Sequence, residues 1–168
     1  MAPLWLSNSV AALIILIRPI REWPVLVGFL SITIVCVNRL GGNNLPISLI
    51  YLITNLMEVL LSASFLRYVC KAETFETGAG DLFKILFIGG VIPSFFSSLM
   101  GSTALFFYHE QIAFSFFWPS WFVSTALGAM AVLPLGILLI TRGIRAILKD
   151  LLRPTVVTML TVAITSAW

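Results

Sequence analysis

Residues Leu82–Tyr108 read LFKILFIGGVIPSFFSSLMGSTALFFY, an apolar stretch whose one charged residue is Lys84. A helix of this length rises by about 1.5 Å per residue and is long enough to cross the roughly 30 Å hydrocarbon core of a bilayer. Ile85–Ile92 is apolar at every position apart from glycine, whereas a membrane β-strand alternates apolar and polar residues. The stretch therefore predicts a transmembrane helix.

The rest of the chain has the same character, with 60% hydrophobic and 10% charged residues, far from the averages of a water-soluble domain. Further apolar segments run from about 3 to 17, 23 to 37, 46 to 69, 114 to 141, and 154 to 168. The last is shorter than the roughly 20 residues that a crossing needs. We predict an all-α polytopic transmembrane helix bundle with five complete helices and a partial sixth, forming one integral-membrane domain over residues 1–168. The short last segment favours a piece of a larger membrane unit; the alternative is a complete small protein.

The basic residues predict the orientation, because Lys and Arg in short loops are retained in the cytoplasm. Of the ten, Arg39 alone lies in the second loop, and the fourth loop has none. The others lie in the first, third and fifth loops: Arg18, Arg21, Arg67, Lys71, Lys84, Arg142, Arg145, Lys149 and Arg153. We therefore expect the loops near Arg18, Lys71 and Arg145 to be cytoplasmic, in a multi-pass membrane protein.

Glu58 is the most informative single residue. It lies about 18 Å along the third segment, near mid-membrane, where a carboxylate costs on the order of 3 kcal/mol on insertion scales. Asn55 precedes it by three residues and shares its helical face. The pair is interpreted as a polar ligand site, a proton-responsive switch or an interhelical hydrogen bond.

Small residues at four-residue spacing form stripes on the fourth and fifth segments. The stripes consist of Ser94, Ser98 and Ser102, and of Ser124 and Gly128. Such residues let helix backbones approach closely in a membrane, so the pattern favours helix packing over substrate contact.

Aromatic residues cluster around the fourth loop. His109 and Glu110 lie in this loop, and Trp118 and Trp121 follow at the start of the next segment. Two interpretations remain open: an interfacial aromatic belt, or a shallow outward-facing pocket to which the two loop residues contribute pH- or ligand-sensitive groups.

The remaining sequence patterns limit the classes of function that this chain can have. No catalytic or nucleotide-binding motif is present, so the sequence predicts no enzyme, cofactor or metal site. The basic residues are explained by topology, which disfavours nucleic-acid binding. Cys36 is expected near the outer end of the second segment and Cys70 at the inner end of the third, so the two cannot pair within one chain. The stretch from Thr141 to Arg153 has apolar residues at helical spacing and predicts an amphipathic helix on the cytoplasmic leaflet.

Several residues together resemble the first class of bacterial membrane-associated sensor domains, the MASE family. They are Leu4-Trp5, Ser7, Asn8, Glu22-Trp23-Pro24, Asn55, Glu58, Leu66-Arg67, Trp118 to Trp121, Leu127-Gly128 and Leu133-Pro134. The sequence departs from the family pattern where Ser124-Thr125 stands in place of Gly-Asp. The resemblance implies an integral-membrane input module of the bacterial inner membrane, joined to a cytoplasmic histidine kinase or cyclic-di-GMP enzyme.

The sequence therefore predicts a sensory input domain without its output domain, with the lipid bilayer and a small ligand or partner membrane protein as partners. The alternative is a small transporter component or substrate-capturing membrane subunit that uses a cavity at Glu58.

Overall fold

The computed structural model describes residues 5–71, 79–108 and 114–151, with side chains up to 143. The described residues are helical nearly throughout, which confirms the all-α prediction. The helices are α1 (Ser7–Leu16), α2 (Trp23–Leu40), α3 (Leu45–Ser64), α4 (Ala79–Lys84), α5 (Ile92–Tyr108) and α6 (Phe114–Leu151). A 3₁₀ turn, Ile20–Glu22, leads into α2, and two π-helical stretches, Phe65–Val69 and Ile85–Val91, extend α3 and join α4 to α5. The predicted sixth segment, from 154, lies outside the described residues.

Within the described part of the chain, four helical rods are long and apolar enough to cross a membrane. They are Ile20–Leu40, Leu45–Val69, Gly80–Tyr108 and Phe114–Gly143. By the length and hydropathy of these helices, the chain is a multi-pass membrane protein.

The first helix is shorter than the sequence predicts. We expected a segment from about residue 3 to 17, but α1 begins at Ser7 and has 10 residues, which is about 15 Å or half of the hydrocarbon core. Residues 1–4 lie outside the described part. Before α1, the backbone crosses α6, where the Trp5 N–H donates to the Ser124 carbonyl at 3.3 Å. This crossing fixes the start of α1 inside the bundle.

The local sequence explains the short loop between α2 and α3. Gly42 adopts a positive φ of 89°, and the Asn43 amide donates to the Asn38 side chain at 3.0 Å. The Asn44 side chain then caps α3 by accepting from the Ile47 N–H at 3.0 Å, and Pro46 lies in the first turn, where no N–H is needed. These residues make a short, well-paired connection.

The bundle is built around α3, which contacts α1, α2 and α5, while α6 contacts α1, α5 and the second π-helical stretch. One apolar cluster joins Leu16, Leu66, Ile85 and Leu133 between these elements. No residue of α2 is buried, because this helix lies on the outside of α3. Its exposed apolar side chains suit a lipid environment.

Hydrogen bonds between loops identify the two ends of the bundle. The Arg67 guanidinium donates to the carbonyls of Leu16 and Arg18, at 3.2 and 2.9 Å, so the first and third loops meet at what we call the basic end. At the opposite end, the Asn44 amide donates to the Tyr108 hydroxyl at 3.1 Å. The loops therefore alternate between two ends, in agreement with the charge pattern.

Helix α6 breaks at the basic end. Gly143 has φ 73° and ψ 153°, a conformation that a residue with a Cβ rarely adopts. The helix resumes and continues to Leu151, over the stretch predicted to be amphipathic. The side chains of this last part, including Arg145, lie outside the described set.

Candidate functional site

Glu58 lies at the centre of three helices. It is near the middle of the Leu45–Val69 span and 4% exposed. Its Oε2 atom accepts hydrogen bonds from Asn8 Nδ2 and Ser97 Oγ, both at 2.9 Å, and its Oε1 atom accepts one from Ser94 Oγ at 3.1 Å. The donors belong to α1 and α5, so one carboxylate joins both helices to α3.

Asn8 extends these contacts to a second residue of α3. Its Nδ2 group also donates to Asn55 Oδ1 at 2.7 Å, and Asn55 Nδ2 donates to the Tyr51 carbonyl one turn earlier at 2.6 Å. Both N–H groups of the Asn8 amide are therefore used. We call Asn8, Asn55, Glu58, Ser94 and Ser97 the Glu58 network.

Helical spacing explains why these residues meet. Asn55 and Glu58 are three apart on α3, and Ser94 and Ser97 are three apart on α5, so each pair lies on one helical face. Asn8 lies in the first turn of α1. The backbone N–H groups of a first turn have no acceptor within the helix and carry partial positive charge. A carboxylate beside this turn is favoured electrostatically.

The surroundings of Glu58 are dry. The crevice that it borders with Ser62, Gly89 and Gly90 leaves no room for a water molecule. Among the described residues, the ion pairs are Arg18–Glu22 and Lys84–Asp81, so neither involves Glu58. The polar contacts of Glu58 there are therefore hydrogen bonds, and in a dry interior each such bond is stronger than in water.

The π-helical stretch before α5 supports the same region. Ser62 Oγ donates to the Gly89 carbonyl at 2.6 Å, and a Cβ at Gly89 would lie 2.5 Å from the Leu66 side chain. A Cβ at Gly90 would be 3.2 Å from that of Ala129. The paired glycines thus allow α3 and α6 to approach the wider turn closely.

The predicted serine stripe of α5 is buried, but its members differ. Ser94, Ser98 and Ser102 are all 0% exposed. Ser94 bonds Glu58, Ser98 Oγ donates to the Phe95 carbonyl at 3.1 Å, and Ser102 Oγ has no hydrogen-bond partner among the described residues. Ser97, beside the stripe, completes the Glu58 network.

The predicted stripe of α6 contacts the chain before α1. A Cβ at Gly128 would overlap the backbone carbonyl of Trp5, and Ser124 supplies the carbonyl to which the Trp5 N–H donates. The absence of a side chain at 128 therefore permits the backbone to cross α6.

The two predicted tryptophans have different surroundings. Trp118 packs among phenylalanines, with its ring centre 5.8 Å from that of Phe95 and 6.2 Å from that of Phe114. Trp121 lies deeper, 5.5 Å from the Tyr51 ring. His109 and Glu110 lie outside the described residues.

Trp121 borders a cavity of about 340 Å³ at the end opposite the basic end. Trp5, Tyr51 and Phe117 supply further aromatic rings, and Asn55 reaches the same cavity from α3. The remaining lining residues are Asn38, Asn43, Ser120 and Ser124. The cavity and the Glu58 network therefore share Asn55.

Among the described residues, no group of three or more His, Cys, Asp or Glu side chains is arranged to hold a metal ion. The two cysteines are free; Cys36 is exposed and Cys70 is buried.

Two residues of the network were not predicted as site residues. Asn8 entered only as part of the family resemblance, although an amide in an otherwise apolar segment was a usable signal. Ser97 lies one position before Ser98, outside the four-residue spacing. Their roles depend on contacts with α3, which is distant in sequence.

Comparison with known proteins agrees with the resemblance noted from the sequence. No curated protein and no solved structure gives a significant match to this chain. The sequence model of the MASE1 family matches residues 1–168, which span every element of the bundle and the whole Glu58 network. The chain therefore belongs to MASE1, a family of membrane-associated sensor domains.

Proposed function

We propose that this chain is the sensory input domain of a bacterial signalling protein, and that the Glu58 network is its switch. In this proposal, a ligand or partner changes the hydrogen bonding of Glu58 and with it the packing of α1, α3 and α5. The cytoplasmic ends pass the change to an output domain, either a histidine kinase or a cyclic-di-GMP enzyme. Membership of a sensor family supports a linked output domain; the resemblance supports these two output classes.

The observation that carries the proposal is the position of one buried carboxylate between three helices. Asn8, Ser94 and Ser97 all donate to it, so a change in Glu58 alters contacts on α1 and α5 together. Buried ionisable groups inside membranes mark functional sites more often than packing sites. A small polar change at this point therefore has a large structural consequence.

Two elements connect this centre with the basic end. Arg67 lies on the π-helical extension of α3 and donates to the carbonyls of Leu16 and Arg18. A shift of α3 therefore moves the α1–α2 loop. Helix α6 runs from the cavity wall at Trp121 to the break at Gly143. The positive-inside rule supports a cytoplasmic location for this end. The resemblance to bacterial sensor domains supports a place in the inner membrane.

The test is Glu58→Gln in the full-length protein that carries this domain, with output activity measured in membranes with and without the physiological stimulus. Glutamine keeps the size of Glu58. Its carbonyl accepts from Asn8 and Ser97, and its amide donates to the Ser94 hydroxyl. The fold is retained while the ionisable group is removed.

We expect Glu58→Gln to shift basal output by about tenfold, which corresponds to about 1.4 kcal/mol of coupling. Asp81→Asn is the matched control, because it also replaces a carboxylate by an amide, and Asp81 pairs with Lys84 at 3.0 Å outside the Glu58 network. Wild-type output and wild-type response in the Glu58→Gln protein would remove Glu58 from the mechanism.

The transporter alternative placed substrate in a cavity at Glu58. The crevice there has no room for a water molecule, so it does not support a substrate site beside the carboxylate.

A further inference from the structure

The cavity at the end opposite the basic end is separate from the dry crevice at Glu58. Its volume of about 340 Å³ lies within the range of small-molecule sites, roughly 300 to 1,000 Å³. Trp121 and Tyr51 form part of its wall, with ring centres 5.5 Å apart and planes inclined by 51°. Because Trp121 also fills the space above Gly101, where a Cβ would overlap its ring, its orientation is set by α5.

The chemistry of the lining defines the class of ligand. The lining includes the asparagines Asn38, Asn43 and Asn55. Each of them uses one N–H in a bond to another group of the protein, which leaves one N–H and an acceptor lone pair on each amide for a ligand. No charged side chain is among the described residues of the lining. The nearby guanidinium of Arg39 donates to the Asn43 carbonyl at 2.9 Å and does not border the cavity.

We propose that this cavity binds a neutral, hydroxylated ring compound of monosaccharide size. The hydroxyl groups of such a compound are both donors and acceptors and match the asparagine amides, while its C–H face covers the aromatic wall formed by residues such as Trp121. A charged ligand is disfavoured, because it loses hydration without gaining an opposite charge.

Asn55 links the occupant to the switch. Its Oδ1 atom accepts from Asn8 at 2.7 Å, and the same Asn8 amide donates to Glu58. An occupant that competes for the Asn55 side chain weakens its bond to Asn8 and changes the donors available to Glu58. This step of the inference rests on the proposed function of Glu58; binding itself does not.

The test measures binding and output on the same full-length protein in lipid nanodiscs. The probes are neutral hexoses and pentoses at up to about 10 mM, with glucuronic acid and glucosamine as charged counterparts of matched ring size. Binding is followed by calorimetry or thermal shift. We expect saturable binding of at least one neutral sugar and at least tenfold weaker binding of its charged counterparts.

Two variants locate the binding site. Ser120→Phe places a ring in the cavity and should weaken binding at least tenfold. Ser115→Phe makes the same change at an exposed position of α6 outside the cavity and should leave binding unchanged. Tyr51→Phe removes one lining hydroxyl without changing the shape and should weaken binding several-fold.

The outcomes separate the two proposals. The cavity proposal is overturned if no neutral sugar binds, if charged counterparts bind equally well, or if binding survives Ser120→Phe. A Glu58→Gln protein that binds the sugar normally with unaltered output would leave the cavity site intact and refute the switch. If no sugar binds but Glu58→Gln still shifts the output, the cavity proposal is refuted and the Glu58 switch stands.

Discussion

Removal of the Glu58 side chain tests whether its hydrogen bonds hold the bundle together. Glu58→Ala leaves three donors, on Asn8, Ser94 and Ser97, without their common acceptor. Interhelical hydrogen bonds in membrane proteins average about 0.6 kcal/mol each and reach about 1.7 kcal/mol. Three of them give an expected loss of about 2 kcal/mol in the free energy of unfolding. Glu58→Gln keeps all three contacts and should change it by less than about 0.5 kcal/mol.

The assay is reversible unfolding in mixed micelles, followed by circular dichroism. Glu22→Ala is the control, since an exposed ion pair contributes roughly 0 to 1 kcal/mol. A double-mutant cycle of Glu58→Ala with Asn8→Ala should give a coupling of about 0.6 kcal/mol or more. The reasoning is refuted if Glu58→Ala is as stable as the wild type, or if Glu58→Gln is as destabilising as Glu58→Ala.

Three further predictions address packing, orientation and thiol chemistry. Gly128→Ala should lower the free energy of unfolding by about 1 to 3 kcal/mol, because the backbone before α1 must move. Gly28→Ala should not lower it, since a Cβ added at Gly28 has nothing within 4 Å. Equal effects of the two variants in unfolding titrations would contradict this. The predicted orientation is tested in a cysteine-free background. An impermeant maleimide should label Arg39→Cys in intact spheroplasts but Arg21→Cys only after permeabilisation. The reverse pattern would show that the predicted orientation is wrong. Burial raises the pKa of the Cys70 thiol, and the thiolate is the reactive form. In a Cys36→Ser protein, which removes the exposed thiol, alkylation of Cys70 in the folded state should therefore be slow at pH 7. Its rate should keep rising at alkaline pH after the rate in SDS-denatured protein has levelled, and coincident pH profiles would refute this.

Much of the fold followed from the residue pattern. The long apolar stretches predicted the four spanning rods, and the distribution of basic residues predicted which loops share an end. Glu58 and Asn55 stood out because polar groups are rare in such stretches. The length of α1 was not predictable in this way, because its start depends on a backbone crossing at Gly128 on a distant helix.

The π-helical stretches are a second feature that could not be predicted from the sequence. Ile85–Val91 reads as an ordinary apolar helix, and its wider turn accompanies the bond from Ser62 to the Gly89 carbonyl and the close approach of Leu66. These contacts come from α3 and its extension, so no local propensity of the stretch predicts them.

The sequence by itself determined that this chain folds as a bundle of membrane helices with a carboxylate near the middle, because hydrophobicity, helical spacing and loop charge are local properties. Only the tertiary structure decided that Glu58 bonds Asn8, Ser94 and Ser97, and that Asn55 joins this network to a cavity. The physical reason is that a buried polar group takes its hydrogen bonds from whichever helices pack against it, and that choice depends on the shapes of the helix surfaces.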